Sequence, residues 1–166
     1  MKMTTKIGIG TTTRIGTTRI EMTEIKCWTD GSCVLIPNKG VGECGIGYVI
    51  ADDAGNILYC GGEYIGQHSS SYAEMYAILR CMEEVNEKID DDITSLCLFS
   101  DSKVSVDALE EEVELNDPDL IEIMDRIESE SIDMRVVPTF VWTPATQDRY
   151  NRLADSIAYT CSSGTY

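Results

Sequence analysis

Histidine and closely spaced cysteine pairs are nearly absent from this sequence. His68 is the only histidine, and the seven cysteines are scattered without a Cys-x-x-Cys pair. Zinc sites normally draw on clustered His and Cys side chains, so a zinc site is excluded on this pattern. We interpret the cysteines as reduced thiols and predict a reducing, cytoplasmic location. They are Cys27, Cys33, Cys44, Cys60, Cys81, Cys97 and Cys161.

Long hydrophobic runs are also missing. No apolar stretch approaches the roughly 20 residues that a membrane helix needs. The N-terminal lysines are not followed by the apolar stretch of a signal peptide. The 166 residues, of which 43% are hydrophobic, suit one domain with its own core. We therefore predict a monomeric domain without a membrane partner.

Positive charge is scarce in one part of the chain. Residues 83–133 hold 19 of the 29 acids but only three of the 13 lysines and arginines, so they carry the whole net charge of −16. The simpler interpretation is an acidic face that is solvated. The more specific interpretation is adaptation to a high-salt habitat, where surfaces rich in carboxylates are common. In both cases this face should repel nucleic acid at low salt.

The N-terminal segment has the opposite charge. Residues 1–24 are rich in threonine, and the first twenty include Lys2, Lys6, Arg14 and Arg19 but no acid. We interpret residues 1–24 as a flexible extension; the alternative is a small basic arm that touches phosphates. A folded domain over residues 25–160 and a C-terminal tail over residues 161–166 complete the predicted organisation.

The apolar pattern predicts a mixed α/β domain in the order β-β-β-α-β-α-α-β-α. The first three strands form an antiparallel meander, and Ser71 with Glu74 fits a capping box at the start of the first helix. Asp117 and Pro118 open the third helix. Pro138 places the last strand at a sheet edge, because proline cannot donate to a ladder. Predicted strands cover 25–29, 48–50, 57–65, 96–99 and 136–142, and the last helix covers about 148–159.

Four acids stand at informative places in this pattern. Asp30 ends the first strand, Glu74 opens the first helix, Asp101 ends the fourth strand and Asp155 lies in the last helix. Ligands of open α/β sheets gather at the carboxyl ends of the strands, so these acids can meet if the first and fourth strands are neighbours. Each acid alone has an ordinary alternative: a turn, a capping box, a helix cap or a solvent contact.

Carboxylates gathered at one place repel each other, and a divalent cation relieves that repulsion. Oxygen ligands without a His or Cys cluster favour Mg²⁺ or Mn²⁺ over zinc. Two such ions can promote an in-line displacement at phosphorus. The four acids therefore predict a site, with two ions, that cuts a phosphodiester.

Several motifs together resemble those of ribonuclease H type 1 and the related domains of retroelements. Residues 28–33, Trp-Thr-Asp-Gly-Ser-Cys, are similar to the segment that opens this family's domain. Residues 69–74 resemble its second motif, residues 100–102 its third, and Asn151-x-x-x-Asp155 its fourth. The resemblance extends over about residues 25–160.

The resemblance implies a five-stranded mixed sheet of order 3-2-1-4-5 flanked by helices. It also implies hydrolysis of the RNA strand of RNA–DNA hybrids, leaving 3′-hydroxyl and 5′-phosphate ends. Asp30, Glu74, Asp101 and Asp155 would then be the catalytic, metal-binding residues. The residues expected to contact the hybrid are Gly31, Ser32, Cys33, Ser70, Ser71 and Asn151.

The sequence departs from the family pattern in four places. Residues 143–148 lack the histidine that the family often has there, and Gln147 or Asp148 would have to replace it. Serines stand where asparagines are usual at Ser70 and Ser71, and the loop at 34–43 is longer than usual. The helical region that is basic in some members is acidic here. A nuclease for structured DNA and a non-catalytic acidic interaction domain remain as alternatives.

Overall fold

The protein is described here by a computed structural model that covers residues 23–90, 92–111 and 113–164. Residues 1–22, most of the predicted extension, lie outside the described residues. The elements are β1 (Thr23–Leu35), β2 (Gly42–Asp52), β3 (Ile57–His68), α1 (Ser70–Lys88), β4 (Ile93–Ser100), α2 (Lys103–Leu109), α3 (Pro118–Met134), β5 (Thr139–Trp142) and α4 (Arg149–Ser163). Among them, no helix is long and apolar enough to cross a membrane.

The strands form one five-stranded mixed sheet in the order β3-β2-β1-β4-β5. Strands β1, β2 and β3 are antiparallel neighbours, while β4 runs parallel to β1 and to β5. The predicted strand order and the edge position of β5 are confirmed. Pro138 itself stands just before β5, so the missing N–H of the proline does not interrupt the ladder.

The two faces of the sheet bury different helices, because side chains alternate along each strand. On one face, Ile25 and Cys27 of β1 pack in the larger core with α1 and α3. On the other face, Trp28 and Val49 form a smaller cluster with Ala154 of α4. Side chains of β1 with even numbers therefore point towards α4, and Asp30 is one of them.

Strand β1 is longer than the predicted residues 25–29. Residues 30–35 continue it because they pair with β2 through Cys33 opposite Cys44 and Leu35 opposite Gly42. Asp30 and Gly31 therefore lie inside a strand and do not form a turn. Residues 42–47, which include three glycines, are likewise part of β2, so this strand is longer than the predicted residues 48–50.

Two helix ends also differ from the prediction. The N-cap of α1 is Ser69, whose side chain accepts a hydrogen bond from the N–H of Tyr72 at 3.1 Å, and Ser71 lies inside the helix. Helix α4 extends to Ser163, so residues 161–163 are helical although they were expected in a tail. The predicted opening of α3 is confirmed: Asp117 caps it and Pro118 is its first residue.

The expectation of seven reduced thiols is wrong for one pair, because Cys33 and Cys44 form a disulfide. The antiparallel register of β1 and β2 places these residues directly opposite each other, with Cα atoms 4.1 Å apart. Their separation of 11 residues in the sequence carries no sign of this pairing until the register is known. Cys27, Cys60, Cys81 and Cys97 are free thiols.

Candidate metal centre

Three carboxylates meet beside the middle of β1, at the carboxyl end of β4. One ligand oxygen from each of Asp30, Glu74 and Asp101 lies within 4.8 Å of the others. Asp30 and Asp101 are brought together by the parallel register, in which Thr29 pairs with Ser100 and each acid follows one of these residues. The predicted neighbourhood of the first and fourth strands is therefore confirmed.

Asp30 is the most buried of the three, with 7% of its surface exposed. Its strand is fixed on one side by β2 and on the other by β4. Two residues earlier, Trp28 stacks on Phe99 of β4 with ring centroids 5.3 Å apart. Asp30 therefore extends from a rigid part of the sheet.

Glu74 reaches the centre from the second turn of α1. Its Oε2 accepts a hydrogen bond from the backbone N–H of Gly31 at 3.3 Å, so its carboxylate is held against β1. This close approach needs glycine, because a Cβ at position 31 would lie 2.5 Å from the carbonyl carbon of Ala73 and 2.6 Å from the nitrogen of Glu74. Gly31 therefore has a structural role that is independent of any contact with substrate.

Asp101 is half-buried in the short link between β4 and α2. The indole Nε1 of Trp142 donates to the backbone oxygen of Asp101 at 3.0 Å, and the N–H of Thr143 donates to the oxygen of Ser100 at 2.9 Å. Ser102 then caps α2 by accepting from the N–H of Ser105. Bonds on both sides thus fix the backbone from which Asp101 extends.

Asp155 lies in α4 and is exposed. Its carboxyl group is close enough to help raise the pKa of Asp30, although it is outside the tighter group of three. Helix α4 is held on the sheet by Tyr150, whose ring stacks on Trp28 at 4.2 Å and whose hydroxyl donates to the oxygen of Gly55 at 2.6 Å. Asp155 therefore borders the centre from the solvent side.

Burial and mutual repulsion make these carboxyls hard to ionise. Burial, followed by the charges of Asp101 and Asp155, raises the pKa of Asp30 to about 8. Burial and the charges of Asp30 and Asp101 also raise the pKa of Glu74, against the opposing effect of the Gly31 N–H. The pKa of Asp101 is raised by burial, while its hydrogen bond with Asp30 lowers it.

A divalent cation fits this arrangement. The three acids supply only hard oxygen atoms, and the described residues add no His or Cys ligand to the group. Bringing carboxylates together without a cation leaves the repulsion that raises the pKa of Asp30. Asp30, Glu74 and Asp101 are therefore the residues that would hold a Mg²⁺ or Mn²⁺ ion, with Asp155 beside them.

The residues predicted to contact substrate lie around the centre in two groups. Ser70 and Ser71 are exposed in the first turn of α1. On β1, the hydroxyl of Ser32 lies 3.1 Å from that of Ser162 in α4, and Cys33 is joined to Cys44. The N–H of Gly31 is used by Glu74. A role for these residues in binding stays a prediction.

Asn151 has a clear local partner. Its side chain is buried, and its Nδ2 lies 3.5 Å from the hydroxyl of Thr143 and 3.4 Å from the oxygen of Pro144. It therefore ties α4 to the loop after β5. Asp148 is engaged as well, because its carboxylate accepts from the N–H groups of Tyr150 and Asn151, each at 2.9 Å. Asp148 caps α4. Its carboxylate is therefore less available to replace the histidine that the family often has in this loop.

Trp142, Tyr150 and Ser162 were not identified as functional from the sequence. They position Asp101, α4 and Ser32 through contacts between elements far apart in the chain. The one available sign was the aromatic side chain of Trp142 on β5, the strand next to the one that ends before Asp101.

The fold and these motifs agree with known families. Residues 29–161 match the family model described as reverse transcriptase-like, which corresponds to the ribonuclease H-like domain. The chain belongs to this family, and its structural neighbours include ribonucleases H type 1. No curated protein sequence matches the chain significantly.

Solved ribonucleases H1 have the same fold. The structure is similar to ribonuclease H1 from the halophilic archaeon Halobacterium salinarum NRC-1, with 23% identity over 86% of this chain and 99% of that chain and a TM-score of 0.72. LC11-RNase H1, isolated from compost, is 26% identical over 86% of this chain and 98% of its own, with a TM-score of 0.74. The same enzyme in complex with an RNA/DNA hybrid gives 24% identity over 85% and 98%, with a TM-score of 0.74.

Proposed function

We propose that this protein is a divalent-metal-dependent endonuclease that hydrolyses the RNA strand of RNA–DNA hybrids. The observation that carries the proposal is the meeting of Asp30, Glu74 and Asp101 within 4.8 Å, with Asp155 beside them, on a ribonuclease H fold. A domain that only bound a partner would gain nothing from these mutually repelling acids, whose ionisation is opposed by burial. A solved relative in complex with an RNA/DNA hybrid supports the substrate class.

The chain's own groups have distinct roles in this proposal. Asp30, Glu74 and Asp101 bind the divalent cations, which are Mg²⁺ or Mn²⁺. Asp155 completes the site from α4. When bound, two such ions supply the positive charge that activates water and stabilises the phosphate as the bond breaks. Hydrolysis leaves a 3′-hydroxyl and a 5′-phosphate.

Substrate recognition is assigned to the surface around the centre. Ser70 and Ser71 are exposed at the start of α1, where hydroxyl and N–H groups can contact the sugar and phosphate backbone. Gly31, Ser32, Cys33 and Asn151 complete the proposed binding residues. Contact with the 2′-hydroxyl groups is what would distinguish RNA from DNA at this site.

The decisive experiment is a cleavage assay on labelled RNA–DNA hybrid, double-stranded RNA, duplex DNA and a DNA junction. Each substrate is tested with Mg²⁺, with Mn²⁺ and with EDTA. We expect cutting of the RNA strand of the hybrid only, dependent on the added metal. Cutting of the junction alone would instead favour a nuclease for structured DNA, and no cutting of any substrate would favour a binding domain.

Matched variants test the site itself. Asp101→Asn removes one charge from the centre and should lower the cleavage rate by at least about a hundredfold, as expected for loss of a group that stabilises developing charge. Asp53→Asn removes the same charge from an exposed turn and should cleave like the unchanged protein. Equal activity of the Asp101 and Asp53 variants would refute the site assignment.

A further inference from the structure

An apolar groove lies between α3 and β5, on the side of the molecule away from α4. We call it the α3–β5 groove, and it encloses about 710 Å³. Leu109, Met124, Ile132, Val137 and Phe140 supply its apolar lining. Val137 is 90% exposed and Ile132 68% exposed, although both are apolar. Exposed apolar surface of this kind marks interaction sites, and no described residue covers it.

The rim of the groove is acidic. Glu110, Glu111, Asp125 and Glu128 line it, with Arg135 as the one cation among the described lining residues. Glu110 also uses its Oε1 to accept a hydrogen bond from the N–H of Phe140 at 2.8 Å, on the outer edge of β5. An occupant of this groove should therefore combine apolar side chains with positive charge.

The N-terminal segment of the same chain has this chemistry. Residues 1–22 contain Lys2, Lys6, Arg14 and Arg19 against the single acid Glu21. Isoleucines are distributed among these cations at positions 7, 9, 15 and 20. The segment thus offers a net charge of opposite sign to the rim and apolar side chains for the lining.

The segment also leaves the domain close to the groove. Thr23, the first described residue, pairs with Ile93 of β4, and the hydroxyl of Thr94 donates to its oxygen at 3.3 Å. Ile93 lines a small hollow of about 280 Å³ together with Asp133 and Arg135, and Arg135 lines the α3–β5 groove as well. The hollow beside the exit point and the groove are therefore neighbours, because Arg135 lines both. Twenty-two residues can span up to about 70 Å, so length does not prevent the contact.

We propose that residues 1–22 dock into the α3–β5 groove of the same molecule. The contact buries the exposed apolar lining and pairs the basic side chains with the acidic rim. It also directs the basic segment to the acidic face and away from phosphates near the metal centre. This role is independent of the proposed nuclease activity, since none of its residues belongs to the centre.

Photo-crosslinking in the full chain tests the proposal. A benzophenone amino acid replaces Ile15, and mass spectrometry locates the residues that it captures. We expect crosslinks to residues 109–111 or 124–140 of the same molecule, with a yield independent of protein concentration. A yield that rises with concentration would overturn intramolecular docking in favour of a second copy, and crosslinks confined to other surfaces would overturn the groove.

Charge reversal provides the matched control. Glu111→Lys with Glu128→Lys should lower the crosslink yield by about tenfold, and adding Arg14→Glu with Arg19→Glu should restore it, because the charges are then exchanged. Asp53→Lys with Glu87→Lys changes the net charge equally but on other exposed surfaces and should leave the yield unchanged. Loss of yield in this control, or no rescue by the exchanged charges, would contradict a specific contact. Circular dichroism of each variant checks that it is folded.

Discussion

Asp30 is an acid that the fold keeps protonated over part of the physiological range. Its ordinary pKa of 3.8 is raised to about 8 by burial and by the charges of Asp101 and Asp155. Between these two values the folded protein holds a proton that the unfolded chain releases. The free energy of unfolding of the metal-free protein should therefore fall as the pH rises through this window.

Asp30→Asn tests this linkage because it removes the titrating group and nearly keeps its shape. We expect the variant to be more stable than the unchanged protein at about pH 8, by about 1–3 kcal/mol, and nearly equal to it at about pH 4. Urea unfolding in EDTA over this range measures the difference. A difference between Asp30→Asn and the unchanged protein that stays constant from about pH 4 to about pH 8 would contradict the buried, repelled carboxyl.

The serines around the first helix show how a sequence motif can mislead at the level of single residues. Ser71 and Glu74 fit a capping box, but Ser69 caps α1 and Glu74 turns to the N–H of Gly31. The motif describes a local exchange of hydrogen bonds, whereas the observed bond joins residues 43 positions apart. Sequence spacing alone does not contain that contact.

Ser69→Ala and Ser71→Ala form a matched pair of variants. Loss of the N-cap at Ser69 should lower the free energy of unfolding by about 1 kcal/mol, since the N–H of Tyr72 loses its partner. Ser71→Ala removes an exposed hydroxyl and should change it by less than about 0.5 kcal/mol. Thermal or urea unfolding measures both changes. A larger loss of unfolding free energy for Ser71→Ala than for Ser69→Ala would show that Ser71 caps the helix.

Among the elements, α4 has the most exacting fit. A Cβ at Gly47 of β2 would lie 2.2 Å from the oxygen of Ala154 and 2.7 Å from the nitrogen of Ala158. These are backbone atoms, which cannot rotate away. Gly47 thus sets the distance between α4 and the sheet, and Asp155 moves with α4.

Gly47→Ala should push α4 outwards. We expect a loss of about 1–3 kcal/mol in the free energy of unfolding, as for an overpacked core, together with a reduced cleavage rate because Asp155 moves with the helix. Gly61→Ala is the control, since a Cβ there meets mainly the end of the Tyr48 side chain, its hydroxyl at 2.8 Å. Equal effects of the two substitutions on the cleavage rate would show that the distance between α4 and the sheet does not control cleavage.

At this scale the sequence was a good guide to order and a poor guide to length. Apolar period and proline position predicted nine elements in their observed order, including the edge position of β5. The first two strands were predicted too short because residues 30–33 and 42–45 are mostly polar or glycine and are extended through the pairing of β1 with β2. The same pairing brings Cys33 opposite Cys44, so the disulfide was missed for the same reason. The last strand was predicted too long, since β5 begins at Thr139 and not at residue 136.

The sequence predicted which acids form the candidate centre better than it predicted the contacts that hold them in place. Motif order identified Asp30, Glu74 and Asp101, and the parallel pairing of β1 and β4 then brings two of them together. The contacts that hold them, such as the indole of Trp142 on Asp101, join separate motifs. They depend on the way the elements pack, which no single segment of sequence contains.

Over the whole molecule, acids outnumber cations, and few of the cations are available to bind a nucleic acid. Ion pairs within the described residues use Lys26, Arg80, Lys88, Lys103 and Arg126. The other described cations, Lys39, Arg135, Arg149 and Arg152, make no ion pair with a described acid. These four and the cations of residues 1–22 can pair with phosphates without breaking an ion pair between described residues.

Salt dependence of hybrid binding measures how many cations are used. Each phosphate neutralised contributes about −0.9 to the slope of log affinity against log salt, so four described cations allow a slope no steeper than about −4. If residues 1–22 stay in the α3–β5 groove, Arg14→Glu with Arg19→Glu should leave this slope unchanged. Binding of a labelled hybrid to Asp101→Asn, which prevents cleavage during the measurement, gives the slope across a salt series. A slope much steeper than about −4 that becomes shallower in the arginine variants would show that the basic segment binds phosphates, because the variants change only the cations of residues 1–22.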